Sequence, residues 1–131
     1  MRLRLVALAL ALGLLSAPSP AVAVPRFKAV FHASTHTPKV NAKWVWSVGV
    51  ANLAGKPVTA RITARIVDPY GGSHPVLLGA TTTSITNYPV QGSFTDYVQF
   101  PPESQGFRLT FRLIVKGPGG RRLLTYWVKP R

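Results

Sequence analysis

Apolar residues recur at every second position through most of the chain beyond residue 24. That spacing sorts side chains onto the two faces of a β-strand. The clearest run is 58–68, where Val58, Ala60, Ile62, Ala64 and Ile66 alternate with Thr59, Arg61, Thr63 and Arg65. A helix would scatter both sets around its circumference, whereas a strand separates them. Residues 107–116 repeat the pattern, with Phe107, Leu109, Phe111, Leu113 and Val115 set against Arg108, Thr110 and Arg112. Phe27, Ala29 and Phe31 mark a first strand, and Trp44, Trp46, Val48 and Val50 a second. Residues 76–84 read as a fourth, with Gly79 at a bulge or edge. Residues 93–100 give a fifth, on which Asp96 shares the side of Phe94, Val98 and Phe100, and 122–128 give the last.

Turn formers separate these runs. Ala54-Gly55-Lys56-Pro57 is a tight turn, and 68–75, 85–92 and 101–106 are loops rich in Pro, Gly and Asn. Gly117-Pro118-Gly119-Gly120 closes a hairpin. Seven strands and no helix predict an all-β fold, a seven-stranded immunoglobulin-like antiparallel sandwich. A small closed barrel is the alternative. Trp44 and Trp46 are expected at the centre of the core, since aromatic side chains bury the most area.

The first 23 residues have a different pattern. Arg2 and Arg4 put positive charge at the start of an apolar run over 3–15, and Ala21-Val22-Ala23 supplies a small-x-small cleavage pattern. That is the form of a secretory signal peptide, with 24–131 as one exported domain. An uncleaved anchor is the other reading, but the run falls short of the roughly 20 residues needed to span a bilayer. No second stretch approaches that length, so the mature chain is expected to carry no transmembrane segment and to be secreted. The chain contains no cysteine. Disulfides, thiolate metal sites and lipid attachment through a lipobox cysteine are thereby excluded.

Charge narrows the range of partners. Without Arg2 and Arg4, 14 basic residues stand against Asp68, Asp96 and Glu103, a formal +11. An exported domain this basic is expected to be drawn to anionic surfaces such as phosphate-bearing wall polymers, acidic glycans, anionic lipid headgroups or stray nucleic acid.

The segment 44–58 ends an alternating apolar strand in Asn52 and opens the next through Gly55-Lys56-Pro57. Over 44–68 it resembles bacterial immunoglobulin-like modules, among them exported YtkA-like domains. The resemblance implies the sandwich fold and no particular activity. The only methionine is Met1. A copper role built on thioether or thiolate ligands therefore has no donors.

Catalysis is not expected. Three acids lie far apart along the chain, and no nucleophile-elbow sequence accompanies the serines. His32, His36 and His74 are weak candidates for a zinc or copper(II) site, requiring two loops to converge at one end. No cofactor is implied. The sharpest candidate is cationic: Arg61, Arg65, Arg108 and Arg112 project from the polar sides of two strands that neighbour each other in immunoglobulin topology, with Arg122 alongside. Their expected partner is an anionic envelope polymer or an acidic protein. Specific nucleic-acid binding is not expected, because Thr rather than aromatic residues lies between these cations. The competing expectation is a structural accessory domain that pairs with a protein through an exposed sheet edge.

Overall fold

The computed structural model describes residues 24–131, and the signal peptide assigned to 1–23 lies outside them. Eight strands run in the order β1 Phe27–Ala33, β2 Lys43–Asn52, β3 Thr59–Val67, β4 Ser73–Pro75, β5 Tyr88–Gln91, β6 Ser93–Gln99, β7 Leu109–Gly117 and β8 Gly120–Val128. One sheet has the order β1-β2-β6; the other has the order β4-β3-β7-β8, with β5 also paired to β3. All pairings are antiparallel. The two sheets make a sandwich.

The alternation read from the sequence explains the core. Trp44, Trp46, Val48 and Val50 on β2 are buried, as are Ala60, Ile62 and Ala64 on β3 and Leu109, Phe111, Leu113 and Val115 on β7. Aromatic rings bridge the layers: Trp46 lies 5.0 Å and Phe31 5.2 Å from the Phe111 centroid. Such tilted pairs add about 0.5–1.5 kcal/mol each beyond the area they bury.

The expected fourth strand over 76–84 does not form. Residues 78–83 instead turn back on themselves, with the Leu78 amide donating to the Thr83 carbonyl and the Thr81 hydroxyl to the Leu78 carbonyl. Gly79 takes a φ of 51°. Consecutive hydroxyl side chains bond to the nearby backbone and so compete with a ladder. The strand pieces lie to either side, in segments read as loops. Val76 and Ile85, both buried, hold the excursion against Ala64 through backbone hydrogen bonds on the β3 edge. Asp96 faces inward on β6, and its carboxylate accepts the Gly79 amide at 3.0 Å. A second correction concerns Phe107, which precedes β7 and is 42 % exposed rather than part of the core.

Candidate anion-binding face

Strands β3, β7 and β8 turn one side to the core, so their alternate residues form the outer wall of the larger sheet. Register fixes who meets whom there. Arg65 stands opposite Arg112, and Arg61 opposite Lys116, which in turn faces Arg121. Between these two rows lies a third of Thr63, Ile114 and Leu123. The cationic rows are four residues apart along β3, about 13 Å at strand rise, and neighbouring strands are about 4.8 Å apart.

Two of the guanidiniums are fixed. Arg61 Nη1 donates to the Asn87 carbonyl at 2.9 Å, while Arg65 donates from Nε to Ser73 Oγ at 2.6 Å and from Nη2 to the Ser73 carbonyl at 3.1 Å. Both point towards the β4–β5 edge and away from the cations on β7. Arg108 comes from the loop before β7 and lies over the Trp127 ring, 4.7 Å from its centroid. Among the described residues none of these cations makes an ion pair; the one salt bridge joins His74 to Asp68.

Arg61, Arg65, Arg108 and Arg112 thus belong to one side of one sheet, with Lys116 and Arg121 added. Arg122 does not. It sits opposite Val115 on the inner side of β8, donates from Nε to the Phe27 carbonyl at 2.8 Å, and lies over the Phe27 ring. Hairpin register accounts for this: Gly117 pairs with Gly120, so Lys116 meets Arg121 and the next residue turns inward. The face also carries an aromatic that the expectation omitted. Trp127 is 38 % exposed there, but His36 already stacks on its ring at 4.0 Å.

The histidines do not converge. His32 is exposed on β1, opposite Ser47. His36 is held between Tyr126 and Trp127, with Nδ1 2.7 Å from the Trp127 carbonyl oxygen. His74 pairs with Asp68 at 2.8 Å. The described residues contain no group of three His, Cys, Asp or Glu able to hold a metal. Asp68 and Glu103, distant in sequence, line one cleft. Three hydrogen bonds act on Asp68, and that from His74 does most to hold its carboxyl below the ordinary 3.8, followed by the Gly72 amide.

No family model and no curated protein matches the chain. A solved structure of a DUF4466 family protein from Parabacteroides merdae ATCC 43184 is similar over 82 % of this chain and 44 % of its own, at 16 % identity and a TM-score of 0.44. The chain therefore spans less than half of that protein.

Proposed function

We propose that the protein is a secreted, non-catalytic binding module of the cell envelope, an immunoglobulin-like sandwich recognising an anionic polymer or acidic protein through the outer wall of its larger sheet. One observation carries the reading. Arg65 with Arg112, and Arg61 with Lys116 and Arg121, stand side by side without a carboxylate partner among the described residues. Like charges at facing positions of a ladder are destabilising, and turning the Arg61 and Arg65 guanidiniums towards the β4–β5 edge eases this without supplying a counter-charge. An anionic ligand supplies the missing counter-charge, and the guanidinium fork suits phosphate and carboxylate oxygens. The immunoglobulin-like reading draws support from the order β1-β2-β6 against β4-β3-β7-β8.

Edge pairing is the second reading. It is favoured by the 65 % exposure of Val30 on β1, the outermost strand of its sheet, beside a groove that continues to Leu123 and Leu124 of β8. Salt separates the two. Binding to isolated envelope fractions and to inorganic polyphosphate is measured at low salt and after a fourfold rise. Face binding by about five cations weakens by roughly two to three orders of magnitude, on the scale of counter-ion release from DNA. Edge pairing hardly changes. Salt-independent binding, or full binding after Arg61, Arg65, Arg108 and Arg112 are all replaced by serine, overturns the first reading.

A further inference from the structure

Where β3 ends and β7 begins, the loops 68–72 and 101–107 enclose a cleft of about 430 Å³. That volume falls within the range of small-ligand sites, about 300–1,000 Å³. Phe100 and Leu109, both buried, are among its apolar lining residues. Tyr70 and Phe107 also line it, with ring centroids 6.5 Å apart and planes inclined at 59°. Tyr70 is 86 % exposed, so its ring is open to a ligand arriving from solvent.

Backbone hydrogen bonds hold both loops. The Asp68 carboxylate accepts the Tyr70 and Gly72 amides at 2.9 Å each, and the Gly71 amide donates to the Asp68 carbonyl. Across the cleft, Phe107 donates its amide to the Ser104 carbonyl, and Gly106 donates to the Pro130 carbonyl. Much of the ordering that a ligand would impose is already in place.

The charge at this cleft is opposite to that of the rest of the domain. Two of its three acids, Asp68 and Glu103, line it. Of the nearby basic side chains, His74 hydrogen-bonds to Asp68, and Arg108 lies over Trp127. We propose that the cleft binds a small quaternary ammonium ion, a cation whose nitrogen carries alkyl groups in place of hydrogens. Aromatic faces attract such an ion through the ring quadrupole, and the apolar lining accommodates its methyl groups. Asp68 favours an alkylated nitrogen over a primary amine. Three donors already occupy its oxygens, so it offers negative charge with little remaining acceptor capacity. Glu103 can accept from an –NH3⁺ group, but the rest of the lining is largely apolar and strips the remaining protons of water, a cost an alkylated nitrogen does not carry.

The test is a titration of the isotope-labelled protein, followed by its amide NMR spectrum, with choline, with the neutral carbon isostere dimethylbutanol, and with n-butylammonium. Choline is expected to shift amides of 68–74 and 101–108 and to bind roughly tenfold more tightly than either comparison compound. Tyr70→Ala and Phe107→Ala each remove most of that response. Both rings are exposed, and an otherwise unchanged spectrum establishes that the variants fold. Equal binding of dimethylbutanol overturns the charge argument, and equal binding of butylammonium overturns the preference for an alkylated nitrogen. No response to choline, or a response unaffected by both substitutions, removes the site.

Discussion

Arg65 and Arg112 stand directly opposite each other across the β3–β7 ladder, yet the Arg65 guanidinium is bound to Ser73 on the far side of its strand. The arrangement eases repulsion without removing a charge. Arg112 has no such anchor among the side-chain hydrogen bonds of the described residues, so replacing it should cost the fold nothing. Arg112→Glu is expected to leave stability in urea unchanged or to raise it by up to about 1 kcal/mol, as a facing pair of opposite sign replaces one of like sign. Polyphosphate affinity should fall in the same protein. A stability loss greater than about 1 kcal/mol would show that Arg112 serves the fold instead.

Arg121 and Arg122 provide a charge-matched comparison, being neighbours on opposite sides of β8. Arg122→Ser removes the hydrogen bond to the Phe27 carbonyl and the contact with the Phe27 ring. It should cost about 1–2 kcal/mol in chemical denaturation and leave the outer face intact. Arg121→Ser should change stability by no more than about 0.5 kcal/mol and weaken polyphosphate binding. If the two variants behave alike in both assays, the assignment of faces fails.

The same pair shows what could be read from the sequence. On β3 the odd positions from Thr59 to Arg65 are polar and the even ones apolar, so Arg61 and Arg65 could be placed outside without coordinates. On β8 both parities read as amphipathic, because Arg122, Leu124 and Tyr126 mirror Arg121, Leu123 and Trp127. Only the register of the Gly117–Gly120 hairpin decides between them, and counting outward from it would have found Arg121 and Lys116. Residues 76–84 misled for another reason. Val76, Leu77 and Leu78 read as the start of a strand, but no alternation follows: Gly79 and the hydroxyl run favour a turn, and a ladder on the β3 edge is already supplied by β4 and β5. The cleft was invisible, since nothing local links Asp68 to Glu103 or Tyr70 to Phe107.

Asp68 makes the acid side of the stability profile specific. Its carboxyl ionises more readily in the fold than its ordinary value of 3.8, chiefly because of the hydrogen bond from His74 and then that from the Gly72 amide. A carboxyl with a lowered folded value contributes stability that is complete above the unfolded value and fades as pH falls through the folded one. Asp68→Asn should therefore flatten the loss of stability below about pH 4. Carboxyl-carbon NMR should find Asp68 titrating below 3.8, and His74→Ala should move it upward. A midpoint unaffected by loss of His74 would contradict the assigned cause.

Gly49 and Gly117 occur in strands, and neither has the positive φ that would by itself require glycine. Their surroundings differ. A Cβ on Gly117 would lie 2.9 Å from two atoms of the Phe27 ring, and that ring is wholly buried and cannot swing out to solvent. Gly117→Ala should therefore cost about 1–3 kcal/mol, the usual penalty for overpacking a filled core. A Cβ on Gly49 meets nothing within 4 Å, so Gly49→Ala should gain about 0.4–1 kcal/mol by restricting the unfolded chain. Urea denaturation of the two variants tests the packing between β1 and the β7–β8 hairpin. A neutral Gly117→Ala would mean that Phe27 has room to move, and that the close approach of the two sheets there is looser than these distances require.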